Sequence, residues 1–160
     1  MIRRINSEHR PNFFFMGYLS SMVVKDFFVV PKHFIVPEII EKRKERSDEL
    51  VGKYAIKAGT ELLNSDVLLL VTKPQDVDAV LAEIKEKVNA GTLIVSFAAG
   101  KKIATIANGL EGKCPVVRVM PNTPTLVGKG AAGYSLGEGV NEHQRKFVVD
   151  GRNAAGSAVE

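Results

Sequence analysis

The chain has 160 residues, one domain's worth, of which 45% are hydrophobic and 25% charged. These are ordinary values for a globular protein, and they exclude wholesale disorder. The pI near 9.2 resides in the first segment: residues 1–46 hold nine Lys/Arg against five Asp/Glu, a net of +4, and the remainder balances to zero. A charge-balanced globular part without a basic face argues against a nucleic-acid partner. Cys114 stands alone, which rules out an internal disulfide, and His9, His33 and His143 lack zinc-site spacing. The expected setting is reducing and cytoplasmic.

In chain order, the basic stretch Met1–Asn12 followed by apolar Phe13–Val24 has the outline of a signal peptide. No small-residue cleavage site follows, because Lys25, Asp26, Phe27 and Phe28 come next, and no run reaches the roughly 20 apolar residues of a membrane span. Residues 1–40 read as an irregular, aromatic-rich arm without a clean period, interrupted by Pro11, Pro31 and Pro37. Glu41–Tyr54 reads as a charged helix with an apolar edge at Leu50, Val51 and Tyr54. The run Val67–Val71 has the length and uniform apolarity of a strand buried on both faces. Gln75–Val88 carries Val77, Val80, Leu81, Ile84 and Val88 at helical spacing. A second buried strand is predicted over Thr92–Phe97, a helix over Lys101–Leu110, a third strand over Val116–Met120 and a fourth over Ala131–Leu136. Asn141 is placed to cap a last helix, with Gln144 reaching back as in a capping box.

Strand, helix, strand, helix, strand defines an α/β fold: a mainly parallel, partial Rossmann-like sheet with crossover helices, preceded by the irregular arm. Right-handed crossovers bring the strand C-termini to one edge, where ligands bind in such sheets. The turn after each strand is small, rigid or polar: Thr72-Lys73-Pro74, then Ala98-Ala99-Gly100, then Pro121-Asn122-Thr123-Pro124. Pro74 suits a first helical turn, Lys73 can meet a phosphate or ribose, and each turn also has a plain reading as a connector. Together they form one coherent crevice. The literal Gly-x-Gly-x-x-Gly of Gly128–Gly133 is not a dinucleotide fingerprint, because it follows a proline loop and precedes strand-like residues. The charged run Glu41–Arg46 reads first as a solvated helix start, with pairing of Lys42 or Arg43 to a 2′-phosphate as the alternative.

These pieces, in this order, resemble pyrroline-5-carboxylate reductase. The resemblance runs from Ser65-Asp66-Val67 through Thr72-Lys73-Pro74-Gln75-Asp76-Val77, Ser96–Gly100, Arg118-Val119-Met120-Pro121-Asn122-Thr123-Pro124 and Gly128–Ala131 to about Asp150. It implies an oxidoreductase of proline biosynthesis that reduces a cyclic imino acid to proline with NADP, or alternatively NAD. By the same resemblance, Val71, Thr72, Lys73 and Pro74 line the cofactor, Phe97, Ala98 and Ala99 face the nicotinamide, and Met120 and Asn122 border the meeting place of the two rings. No side chain is assigned a catalytic role, since the family chiefly orients cofactor and imine.

The chain departs from the family pattern in places. Residues 1–40 hold one glycine, Gly17, where the family builds a three-glycine pyrophosphate cradle. The segment Ala58–Asn64 is short, and Gly151-Arg152-Asn153 interrupts an otherwise family-like helix. The family's C-terminal helical domain, with its oligomer interface, is expected to be missing. The expected organisation is therefore an arm over 1–40 and a partial NADP-binding domain over 41–160. Val67–Val71 and Val116–Met120 are expected to risk lying at open edges, with weak self-association, unless the arm covers one of them. A nucleotide-binding or partner-binding fragment without turnover is the alternative function, and a ligand-free structural remnant the third.

Overall fold

The computed structural model describes residues 12–16, 35–41, 43–53, 57–59, 65–121, 130–153 and 156–159. Eight strands form one sheet: β1 Asn12–Met16, β2 Ile35–Ile40, β3 Lys57–Ala58, β4 Val67–Leu70, β5 Leu93–Ser96, β6 Val116–Pro121, β7 Gly130–Leu136 and β8 Gly156–Val159. Their spatial order is β3-β2-β1-β4-β5-β6-β7-β8. Pairing is parallel from β3 through β6, antiparallel between β6 and β7, and parallel again between β7 and β8. The helices are α1 Lys44–Lys53, α2 Val77–Ile84, α3 Ile103–Gly109 and α4 Glu142–Asn153, with a 3-10 turn over Pro74–Asp76.

The strand order reverses direction between β1 and β4, which makes that junction the topological switch point of a doubly wound sheet. Reversal under the right-handed crossover rule sends helices to opposite faces, and the two cores obey it. Leu50 of α1 and Phe147 and Val148 of α4 pack with Val67, Leu69, Val95, Val117 and Val119 on one face. Val77, Val80, Leu81 and Ile84 of α2, with Ile106 of α3 and Leu110, pack with Leu68, Leu70, Ile94 and Val116 on the other. Strict alternation along β4, β5 and β6 thus feeds two cores, which explains why their sequences are continuously apolar.

The N-terminal region differs from its reading as an irregular arm. Asn12–Met16 enters the middle of the sheet, with Phe13–Met16 in register with Val67–Leu70. Ile35–Ile40 lies beside it despite Pro37. The β1–β2 register shifts between Asn12 and Phe14, so β2 carries an extra residue where the proline falls. A bulge is where a strand tolerates a residue that cannot donate to the ladder. β1, from the arm, covers β4, as the alternative had it, and β7 covers β6, so neither strand lies at an open edge. The sheet instead ends on the two-residue β3 and the four-residue β8, and short edges offer little template for further pairing.

Smaller differences concern ends. The helix expected over Gln75–Val88 starts as a 3-10 turn at Pro74, and the last helix runs through Gly151-Arg152-Asn153 instead of breaking there. The capping box forms as expected: the Gln144 amide N–H donates to Asn141 Oδ1 at 2.9 Å, and the Asn141 N–H donates to Gln144 Oε1 at 3.1 Å. Gly130–Gly133 lies inside β7, as expected of a glycine pattern that is not a nucleotide fingerprint.

Candidate functional site

Parallel register brings the ends of β4, β5 and β6 to one rim. Leu70 pairs with Ser96, and Ser96 pairs with Arg118. β6 then continues three residues farther, to Pro121, paired with β7 and no longer with β5. The rim is therefore stepped, with the turns after β4 and β5 at the lower level and the end of β6 rising beside them.

The first turn leaves β4 through Val71 and Thr72, both buried, to Lys73 and Pro74, both exposed. Pro74 opens the 3-10 turn, where its missing N–H is no loss, and the Asp76 N–H closes that turn on the Lys73 carbonyl at 3.0 Å. The second turn is held to the first, because the Phe97 N–H donates to the Leu70 carbonyl at 3.0 Å. Phe97 is half-buried against the core shared with Val95 and Val119. Ala98 is buried, and Ala99 and Gly100 are exposed. Gly100 takes a φ of +72°, a conformation glycine adopts without penalty. Both ends of β5 are fixed by buried hydroxyls: Thr92 Oγ1 donates to the Ser65 carbonyl at 2.9 Å, and Ser96 Oγ accepts from the Ala98 N–H at 3.3 Å. Met120, on the projecting end of β6, is 48% exposed, an unusual position for a large apolar side chain.

Of the residues expected at the site, the fold thus gathers Val71, Thr72, Lys73, Pro74, Phe97, Ala98, Ala99 and Met120 at one rim. Asn122 lies outside the described residues, as does Gly17, which directly follows β1 in sequence. Two buried side-chain atoms among the described residues have no hydrogen-bond partner, Thr72 Oγ1 and Arg118 Nε, and both stand at this rim. Arg118 was not a candidate in the sequence. The signal was there, as a single charge inside the otherwise apolar Val116–Met120 run. Among the described residues no three His, Cys, Asp or Glu side chains gather into a metal-sized cluster, and no helix is long and apolar enough to cross a membrane.

A parallel sheet of this order, with helices on both faces and ligand-permissive turns at its switch-point rim, defines a Rossmann-like nucleotide-binding fold. Comparison with known proteins narrows the class. The chain is 36% identical over 129 residues to a pyrroline-5-carboxylate reductase of Corynebacterium melassecola, covering 76% of this chain and 48% of that protein. It is 37% identical over 108 residues to pyrroline-5-carboxylate reductase 1 of Bacillus subtilis, covering 65% and 36%. Among solved structures, a pyrroline-5-carboxylate reductase from Coxiella burnetii superposes with a TM-score of 0.80 at 24% identity, over 94% of this chain and 58% of that one. The Plasmodium falciparum pyrroline carboxylate reductase with NADP bound superposes at 0.74 and 24% identity, over 94% and 57%. The chain is a homologue of the pyrroline-5-carboxylate reductases, and it spans about half the length of the curated relatives it matches. A family model described as DpnI, Dam-replacing family, also matches residues 1–58, which is less than half of the chain.

Proposed function

We propose that this sheet is the nicotinamide-facing part of a reductase of proline biosynthesis, which converts 1-pyrroline-5-carboxylate to proline with NADPH, or alternatively NADH. The observation that carries the reading is the stepped rim, where the turns after β4 and β5 lie beside the projecting end of β6 and the second turn is hydrogen-bonded to the end of β4. The homology and the NADP bound in the Plasmodium relative support it.

The residues at hand suit the nicotinamide end of such a cofactor. Ala98, Ala99 and Gly100 present almost no side chain, so a flat ring can lie against the backbone. Phe97, packed into the core, holds that turn in place, and Val71 through Pro74 line the adjoining wall, where the buried Thr72 hydroxyl still has an unused hydrogen bond. Met120 offers an apolar surface beside the ring, with Asn122 two residues on. When bound, the nicotinamide supplies the hydride. The chain's part is to hold two rings in reacting geometry and keep water off them, and positioning alone can account for several kcal/mol of a barrier.

A second reading is nucleotide binding without turnover. Steady-state oxidation of NADPH with pyrroline-5-carboxylate, by the chain alone and mixed with a full-length relative, separates the two. Proline formed at a rate proportional to this chain supports the reductase; NADPH binding with no added turnover in either setting favours the second.

A further inference from the structure

We propose that Arg118 is an oxyanion anchor of the crevice, a role that rests on the nicotinamide-reductase reading above. Its ligand is the planar oxyanion of a carboxylate or phosphate group carried by the substrate or the cofactor.

Arg118 occupies one row across the sheet with Ser96 of β5 and Ser135 of β7. Alternation assigns that row a face. Ile94 and Val116, two residues earlier on their strands, belong to the core under α2 and α3, so Ser96 and Arg118 face the same side. α3 does not extend over this row. A Cβ at Gly137 would stand 2.6 Å from the Val116 carbonyl oxygen and 2.8 Å from Ile103 Cγ2. The first residue of α3 therefore lies at the level of Val116, and Arg118 stands beyond it, toward the rim.

Among the described residues the charge there has no ion-pair partner. Arg118 is half-buried, its Nε is fully buried without an acceptor, and among the described residues it has no hydrogen-bond or ion-pair partner. Lysine or histidine could relieve burial by losing a proton, but a guanidinium does not. A buried donor left without a partner is destabilising, more so when charged, and a fold that keeps one at its ligand rim points to a ligand that completes it. The forked donors of arginine match two oxygens of one carboxylate or phosphate. Ser96 Oγ accepts from the Ala98 N–H, which leaves its own hydrogen to donate, and exposed Lys102 at the same rim adds positive potential.

The test compares ligand pairs that differ in the oxyanion, on the full chain: L-proline against L-prolinamide, and nicotinamide mononucleotide against nicotinamide riboside. At least one pair is expected to favour the oxyanion by about tenfold or more, as a charge-assisted hydrogen-bond pair allows. Preference in the proline pair identifies the carboxylate, and preference in the mononucleotide pair identifies the phosphate. Arg118→Gln should erase the preference. Arg118→Lys, which keeps the charge and loses the fork, should weaken the preferred ligand at least threefold, and it decides the matter if the glutamine variant does not fold. No preference in either pair, or one that both variants retain, overturns the proposal. NADPH titration of the same samples keeps the two claims apart: NADPH binding without oxyanion preference removes the Arg118 role alone, whereas absent NADPH binding removes the parent reading.

Discussion

Thr72 and Arg118 show how single residues at the sheet rim differ from those in its interior. Thr92 and Ser96, equally buried, are hydrogen-bonded and fix β5, whereas Thr72 Oγ1 and Arg118 Nε are not. Neither orphan was readable from the sequence, because a hydroxyl or guanidinium declares itself unpaired only once strand register fixes its neighbours. Gly137 is a second case in which context decides. Its N–H donates to the Val116 carbonyl at 2.8 Å, and an added methyl would press on that same backbone oxygen at 2.6 Å. Backbone cannot move aside as a side-chain tip can, so Gly137→Ala is expected to destabilise the fold by about 1–3 kcal/mol, read from urea unfolding.

Glu111 supplies the pH-dependent case. Its carboxyl is held below the ordinary 4.5 by hydrogen bonding and charge from Lys113, and next by Lys85; the ion pairs are 3.0 and 3.4 Å long. A depressed carboxylate contributes stability that is present above pH 4.5 and is lost as pH falls through the lower folded value. Glu111→Gln should therefore flatten the acid limb of a stability–pH curve. Because the Glu111 carboxyl is exposed, the effect should be small and should fade in high salt.

At the scale of elements, the apolar runs that became β4, β5 and β6 were legible because a strand buried on both faces admits little else. The helices α2 and α3 were legible from their period, and the cap of α4 from Asn141 and Gln144. The strands β1, β2, β3 and β8 were not. Asn12–Met16 has neither alternation nor turn residues to bound it, Pro37 argued against a strand until a bulge absorbed it, and Lys57–Ala58 and Gly156–Val159 are too short or too small-chained to signal. The Asn141 cap gives a direct check on element energetics. Gln144 Nε2 also donates to the Gly91 carbonyl at 3.3 Å, so the box ties α4 to the turn before β5. Asn141→Ala should lower unfolding stability by about 1 kcal/mol, and Gln144→Ala should also loosen that tie, seen as faster amide exchange at the start of α4.

On the scale of the whole molecule, one sheet joins residues the sequence had divided at position 40. β1 lies inside the sheet between β2 and β4, and its C-terminus shares the switch point with β4. The turns after β4 and β5 could be read in advance as neighbours, since the crossover rule places them on one edge. The step between those turns and the projecting end of β6 required the register of β6 with β5 and β7. Whether this rim takes a nicotinamide nucleotide is decided by a fluorescence titration of the chain with NADPH. The predicted result is saturable binding that weakens when exposed Ala99 is enlarged to leucine, whose side chain would crowd the space for the ring. No saturation at millimolar NADPH, with the protein folded, would contradict it.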